Sequence, residues 1–304
     1  MRSLITGGAG FIGSNLAERL LKEGHEVIVL DNLVSGRIEF LPKNEKLHFF
    51  KGDLLDKNFA DEHIKGVDMV WHLAAKPDIR TFSSEDFIKD VTITLNTLRA
   101  MEKNRIMRMM YSSSSTVYGN AKTPTPENAP LQPVSLYGAS KAACESLISS
   151  YSSGSGIQAC IFRFANIVGK NQTHGIMADF IKKLKTNPKK LEILGDGRQT
   201  KSYMLVDDCI NAMINVVNSS TAGTNIFNLG SDDSAGVVDI ANIVSSAMGL
   251  SPEYHYTGGS SGWVGDVPIM MLSTDEIKKT GWRPSYNSMK AIETAVGQLL
   301  RAEP

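Results

Sequence analysis

The sequence predicts an α/β protein, a doubly wound parallel sheet with a smaller C-terminal lobe, on three observations. Short apolar runs alternate with helical patterns from the first residues to about residue 165. A glycine-rich turn joins the first of these runs to the first helical pattern. Past Phe164 the alternation loosens, yet no Pro/Gly linker separates two independent domains.

Taken in order, Arg2–Thr6 reads as a strand, Phe11–Glu23 as a helix, Glu26–Leu30 and Lys46–Phe50 as strands, Asn58–Ile64 as a helix and Met69–Leu73 as a strand. Glu85–Lys103 reads as a helix, Met107–Ser112 as a strand, Leu136–Tyr151 as a helix and Gln158–Phe164 as a strand. Short apolar runs separated by helices are what a parallel sheet covered on both faces requires. Further on, Met177–Lys185, Asp208–Asn218 and Val237–Met248 look helical, and Leu191–Leu194 and Asn225–Leu229 look like strands. Gly258–Gly265 reads as a Gly/Ser-rich loop containing Trp263, and Asn287–Leu300 closes the chain as an amphipathic helix. Ser149–Gly156 is expected to be a frayed helix end and loop. Residues 1–165 are thus assigned to the first domain and 166–304 mostly to a substrate-binding lobe, with some later elements returning to the main sheet.

The 304 residues suffice for one large domain or two modest ones. The 32 Lys and Arg balance the 32 Asp and Glu, so no basic excess points to nucleic acid or a membrane surface. Cys144, Cys160 and Cys209 are scattered and form no CxxC pair, which excludes a tetracysteine zinc site and argues against a disulfide framework. They read as buried small hydrophobes in a reducing cytoplasm. The six histidines are dispersed, with no HxxH or HExxH spacing, and no metal is expected. No apolar run approaches the roughly 18 residues of a membrane helix. The first residues already read as a strand, so no signal peptide is expected.

The turn Gly7-Gly8-Ala9-Gly10-Phe11-Ile12-Gly13 satisfies GxGxxG at Gly8, Gly10 and Gly13, and GxxGxxG at Gly7, Gly10 and Gly13. The first glycine permits a tight turn, the middle one a close approach to a pyrophosphate, and Gly13 close helix packing. The helix that follows offers free N–H groups and a partial positive charge to phosphates. Strand before, helix after and a second strand ending at Asp31 make this a Rossmann-type dinucleotide fingerprint. Asp31 can accept from both adenosine ribose hydroxyls and repels a 2′-phosphate, which favours NAD over NADP. Asp53 either accepts from the adenine amino group or caps the next helix.

The strand Met107–Ser112 runs into a serine cluster that includes Ser114, at the sheet edge where open α/β folds bind ligands. Tyr137 and Lys141 are four residues apart and share a helix face. An ammonium beside a phenol favours the phenolate, giving a general base. With a serine hydroxyl on the same substrate oxygen, this set suits oxidation of a secondary alcohol against nicotinamide.

With the stretches TGGAGFIGSNL, VIVLDNLVSGR, WHLAAKPDIR, SSSSTVYG, YGASKAACE, FRFANIVG, GDGRQTKSYMLVDD and GWVGD, the chain resembles extended short-chain dehydrogenase/reductases of the NAD-dependent epimerase/dehydratase family, over nearly its whole length. Within that family it looks most like the UDP-hexose 4-epimerases, the archaeal-type sequences of UDP-glucose 4-epimerase especially. The resemblance implies Ser114 and Tyr137 as catalytic, and Lys141 on the nicotinamide ribose. It implies a cofactor shell of Gly7, Gly10, Phe11, Ile12, Gly13, Asp31, Asn32, Ser35, Gly36, Asp53, Leu54, Leu73, Ala74, Ala75, Lys76, Tyr137, Lys141 and Phe164. Asn166 and His174 would face the sugar diphosphate, and Gly195, Gln199, Lys201, Trp263 and Asp266 the nucleotide, with Trp263 alternatively a surface loop anchor. Where the family's dehydratases carry an Asp-Glu pair and its decarboxylases a Glu, this chain has Ser115 and Thr116, which favours simple epimerisation. The implied reaction oxidises a UDP-hexose at C4 with tightly bound NAD, turns the 4-ketose and reduces it from the opposite face. The implied assembly is a homodimer through Glu85–Lys103 and Leu136–Tyr151.

Three positions depart from the family pattern. Asp90 replaces a usual asparagine, either adding charge near the nicotinamide or facing solvent. Lys201 replaces a frequent arginine, keeping the charge without the bidentate fork. Ser261 replaces another. His72 reads as a packed structural histidine rather than a ligand. Epimerases of UDP-N-acetylhexosamine or UDP-glucuronate, a simple oxidoreductase with exchangeable cofactor, and a non-catalytic NAD-binding regulator are the competing functions.

Overall fold

The two-residue period of a strand sends sequence neighbours to opposite faces, and Leu4 and Ile5 do end in different hydrophobic clusters in the computed structural model. The structure describes residues 1–76, 82–219, 222–260, 262–263 and 265–302. The first half runs β1 (Arg2–Thr6), α1 (Phe11–Lys22), β2 (Glu26–Asp31), β3 (Leu47–Lys51), α2 (Lys57–His63), β4 (Met69–His72), α3 (Ser84–Lys103), β5 (Arg108–Ser114), α4 (Leu136–Ser155) and β6 (Gln158–Phe164). The second runs β7 (Asn166–Val168), α5 (Ile176–Thr186), β8 (Lys190–Ile193), β9 (Thr200–Lys201), β10 (Tyr203–Leu205), α6 (Val206–Ser219), β11 (Thr224–Leu229), β12 (Ala235–Gly236), α7 (Val237–Ala247), β13 (Glu253–Tyr256), β14 (Ile269–Met270), α8 (Asp275–Lys278) and α9 (Ser288–Ala302).

Seven strands pair in the order β3-β2-β1-β4-β5-β6-β11, every pair parallel. The chain order reverses between β1 and β4, which opens a crevice beyond their carboxyl ends. On one face Leu16 and Leu20 of α1 and Met213 and Val216 of α6 pack on Ile5, Val29, Trp71 and Phe162. On the other, Leu98 and Met101 of α3 and Ile148 of α4 pack on Leu4, Ile28, Val70 and Tyr111. Helices on both faces make the sheet doubly wound, as the sequence predicts. Each fully buried side chain of this kind contributes roughly 1.5–3 kcal/mol over its exposed state.

A third cluster is built only from residues past 166. Phe180 of α5, Leu191 of β8, Leu205 of β10, Ile240 of α7 and Ile292 of α9 meet there. The small pairs β7–β10 and β8–β13 and the triplet β12-β9-β14 hold this part together. Apart from β8, read from the sequence as Leu191–Leu194, these strands of two to four residues are too short to leave a period in the sequence.

Two of the boundary differences bear on the elements that carry the site. β5 continues to Ser114, which places that serine at the strand's carboxyl end. The stretch expected as a frayed end and loop is helical to Ser155, because Ser149 donates back to the Glu145 carbonyl at 2.9 Å and the left-handed stop falls at Gly156 (φ 74°). Among the described residues no helix is long and apolar enough to cross a membrane.

Candidate active site

The glycine turn closes at the crevice. Gly7 has φ 67°, and a Cβ there would lie 2.8 Å from the Ala74 backbone at the end of β4. A Cβ on Gly13 would run into the carbonyl of Gly7 and the Cα of Gly8, so its close approach is to the turn itself rather than to the sheet. Gly8 packs on Val29 instead of facing the crevice. Gly10 caps α1 without a side chain, and the first turn, with Phe11 and Ile12, has no acidic residue. Its N–H groups and dipole are therefore available to an anion.

Asp31, 8% exposed, accepts from Ala9 N at 3.0 Å and Leu33 N at 2.8 Å. It thereby ties the turn to the loop carrying Ser35 and Gly36, where a Cβ on Gly36 would lie 2.7 Å from its carboxylate. Burial raises its carboxyl above the usual range, against those two amide donors. Asn32 donates to Asp53 at 3.1 Å. Asp56, not Asp53, caps α2. Leu54 is buried, and its carbonyl is held by Asn96 of α3. Leu73, Ala74 and Ala75 follow β4 directly, and Lys76 is exposed with Nζ on Asp86 at 3.0 Å. A cradle that any Cβ would fill, an uncapped helix start and a carboxylate at the end of β2 fit a dinucleotide.

Ser114 pairs in register with Phe164, and its hydroxyl accepts from Thr116 N at 3.2 Å and Thr116 Oγ1 at 3.0 Å. Lys141, 2% exposed, donates to Ser112 O at 2.8 Å. Its Nζ stands 4.8 Å from the Tyr111 ring centroid and 5.7 Å from that of Tyr137. Gly138 explains how Tyr137 comes alongside. A Cβ there would lie 2.6 Å from Thr116 O, so only glycine lets α4 start against the turn after Ser114.

The later site residues form a second group. Lys201 of β9 meets Asp266 at 2.6 Å and lies 5.1 Å from the Trp263 ring centroid. Asp266 also accepts from Gly262 N at 3.0 Å. Gln199 donates to Leu194 O at 3.1 Å across Gly195. Its Oε1 and the Trp263 Nε1 are buried without a hydrogen-bond partner among the described residues. A Cβ on Gly265 would lie 3.1 Å from Val134 O, so this loop abuts the cap of α4 just before Tyr137. Asn166 donates to Ser202 O at 3.2 Å, next to β9. His174 is exposed just before α5. The departure at Ser261 lies outside the described residues.

The model of the NAD dependent epimerase/dehydratase family matches residues 3–230. The chain belongs to this epimerase/dehydratase family. A Methanocaldococcus jannaschii relative that bears a provisional UDP-glucose 4-epimerase name is 32% identical over 304 residues, 96% of each chain. A crystal structure of a UDP-galactose 4-epimerase superposes with a TM-score of 0.92 at 39% identity, covering 100% of both chains. The UDP-glucose 4-epimerase of Thermus thermophilus, solved in complex with NAD, gives 0.88 at 30% identity over 99% of this chain and 100% of its own.

In this epimerase/dehydratase chain two hydrogen-bonded systems escaped sequence reasoning. The first runs behind the cofactor cradle. Ala74 N donates to Thr6 Oγ1 at 3.2 Å, and Thr94 Oγ1 gives its one proton to Asp90 O at 2.8 Å. Thr94 must then accept from His72 Nε2 at 3.1 Å, which leaves Nδ1 to accept from Thr6 at 2.8 Å. His72 is a neutral Nε2–H tautomer in a fully satisfied chain, and burial, with Lys141 nearby, holds its imidazole down at about 3. Above about pH 6.5 neither the folded nor the unfolded histidine is charged. As the pH falls from there toward 3, only the unfolded chain takes the proton, so stability drops by about 1.4 kcal/mol per pH unit from this residue. Urea unfolding at pH 7 and pH 5 is expected to show that loss, and His72→Gln to flatten it. An unchanged slope in the variant refutes the assignment.

The second system joins β5, α4, β6 and β11. Arg163 meets Glu145 at 2.6 Å with both side chains 4% exposed. It also donates to Tyr118 OH at 2.7 Å and Glu127 O at 2.8 Å. Ser113 donates to Glu145 in a short bond, and Tyr118 to Asn228 at 2.8 Å. The sequence signal for it was a charge in an otherwise apolar run, Arg163 in β6.

Proposed function

We propose that this chain is an NAD-dependent 4-epimerase of UDP-hexoses that interconverts UDP-glucose and UDP-galactose. The observation that carries the reading is the Lys141–Tyr137–Ser114 group at the carboxyl end of β5, between a dinucleotide cradle and the Lys201–Trp263–Asp266 loop. Gly7, Gly10, Phe11, Ile12 and Gly13 would hold the NAD diphosphate, Asp31 the adenosine ribose, and Leu73, Ala74, Ala75, Lys76 and Phe164 the remainder. Bound NAD supplies a hydride acceptor and donor at sugar C4. Tyr137 removes the C4 hydroxyl proton and later returns it, Ser114 holds that oxygen, and Lys141 places the nicotinamide ribose and favours the phenolate.

Lys201 is the cation for the UDP diphosphate, and Gln199 and Trp263 bring unpaired polar atoms to the nucleotide. Holding the substrate by that remote end leaves the sugar free to turn. Ser115 and Thr116 supply no acid or base for elimination, which supports epimerisation over dehydration. We assign residues 166–304 mostly to this substrate lobe. We also infer a homodimer through α3 and α4, which pack together and leave Ile88 60% exposed. Three buried cysteines that form no disulfide with one another support a cytoplasmic setting.

Proton NMR of the anomeric signals, with UDP-galactose and no added NAD, tests the reading. UDP-glucose appearing supports it. No conversion after NAD is supplied sinks it, and turnover of UDP-glucuronate or a UDP-N-acetylhexosamine instead moves the substrate assignment. Asp31→Ala is expected to weaken NAD retention by roughly tenfold to a hundredfold, the worth of a hydrogen bond to a charged group. Retention measured by dialysis at wild-type level removes Asp31 from the cradle.

A further inference from the structure

Asp90, on α3 and 5% exposed, lies beneath the first turns of α4 and does not face solvent. Donors meet both of its oxygens. Lys76 N donates to Oδ1 at 3.0 Å, and Ser140 Oγ donates to Oδ2 at 3.1 Å while sharing its proton with the Tyr137 carbonyl at 2.9 Å. An N–H on one oxygen and an O–H on the other suit an ionised carboxylate, which only accepts. Lys141 follows Ser140 on the same helix turn. It is 2% exposed, and its ammonium donates to the neutral Ser112 carbonyl at 2.8 Å. A buried charge with nothing to offset it is costly.

The other titratable groups around the two are uncharged or engaged elsewhere. Cys144 on α4 and Tyr111 on β5 are pushed up by burial, and His72 on β4 is held down by it, so all three are neutral. The Lys76 ammonium sits on Asp86, which Lys89 also approaches, and Glu145, further along α4, is met by Arg163. One negative and one positive group remain in this part of the interior. Among the described residues no ion pair within 4 Å joins them, so they act on each other through space.

We propose that Asp90 is the buried counter-charge of Lys141, a positioning residue that holds the lysine charged at the head of α4 and, by its own negative charge, tempers the field that Lys141 puts on Tyr137. Burial raises the Asp90 carboxyl above its usual range, while Lys141, Lys76 N and Ser140 act against that rise and Asp86 adds to it. An asparagine, as in the family pattern, makes contacts to the same two partners without the charge, so the charge is what this chain adds.

A cycle of wild type, Asp90→Asn, Lys141→Met and the double variant, followed by thermal unfolding at pH 8, reads the pairing. Lys141→Met strands a buried carboxylate only where Asp90 is present. It is therefore expected to cost on the order of 5 °C more in Tm in the wild-type background than in the Asp90→Asn background. The excess should shrink between pH 8 and pH 4 as Asp90 takes up a proton, which a packing contact would not show. Equal losses in the two backgrounds, or an excess unchanged by pH, overturn the proposal. No sugar substrate is used, so failure of the reaction proposed above leaves this result standing.

The effect on Tyr137 does rest on that reaction, and its test needs only Asp90→Asn, should Lys141→Met not fold. The variant keeps an acceptor for Lys76 N and offers a donor to Ser140, whose proton then goes to the Tyr137 carbonyl. Without the negative charge nearby protons leave more readily, so both limbs of the pH profile of UDP-galactose turnover are expected to move to lower pH by roughly one unit. A merely structural role would lower the rate at every pH without moving the limbs. Limbs that stay in place or move to higher pH overturn the role.

Discussion

Tyr137→Phe is expected to lower UDP-galactose turnover by roughly a hundredfold to ten-thousandfold, the range for loss of a positioned general base, while the protein still folds and retains NAD. The substitution removes one oxygen from a half-buried ring. The ring's place near Lys141 is fixed by Gly138 against Thr116 and by the Ser135 cap, which accepts from Gly138 N at 3.1 Å. None of those contacts uses the phenol oxygen. NAD content, read after denaturing the protein, should equal wild type, and UDP-sugar KM should change little because only the proton transfer is lost. Ser114→Ala leaves the base in place and loses a hydrogen bond to the substrate oxygen, so its loss should be smaller. Turnover in Tyr137→Phe near the wild-type rate would mean that the C4 proton goes elsewhere and that the catalytic group has been misassigned.

Most of what positions this group was legible in the sequence, and the reasons are particular. Strand–turn–helix order around Gly7 and Gly13 leaves a strong pattern because each glycine answers a contact that a Cβ would break. β1, β2, β4, β5 and β6 were legible because strands buried on both faces are largely apolar runs, and the partly exposed edge strand β3 was legible from Leu47, Phe49 and Phe50. The two-residue strands β9, β12 and β14 were not, though Lys201 sits on one of them. Their geometry comes from pairing with one another, not from local preference. The α4 end was misjudged because Ser149, a residue type that usually favours loops, donates there to a carbonyl of its own helix, and the left-handed stop comes only at Gly156. Asp90 is the clearest case. The sequence showed an extra carboxylate near the cofactor, and whether it faced water or the interior depended on three partners from two other segments, none adjacent to it in the chain.

The same reasoning explains why the Arg163–Glu145 pair carries the second large effect. Arg163 points a charge into β6, where neighbours such as Ile161 and Phe162 are fully buried. That is tolerable only because the guanidinium is met twice by Glu145, at 3.0 and 2.6 Å, and again by Tyr118 and the Glu127 carbonyl. Burial, only partly offset by Arg163, pushes the Tyr118 phenol up to about 12, so it stays a neutral donor to Asn228 and acceptor from Arg163. Arg163→Met leaves Glu145 buried without its counter-charge. Removing one partner of such a pair costs about 3–5 kcal/mol, which is expected to lower Tm by on the order of 10 °C. The double variant Arg163→Met/Glu145→Met should lose less than the two single variants added together, since no lone charge remains. Glu145 stands one helical turn past Lys141 on α4 and also holds Ser113, the residue before Ser114. The folded fraction of Arg163→Met should therefore turn over more slowly, with NAD still bound. Thermal unfolding of the three variants decides the matter. A single-variant loss below about 1 kcal/mol, the worth of an exposed pair, would show that the network does not brace the catalytic helix.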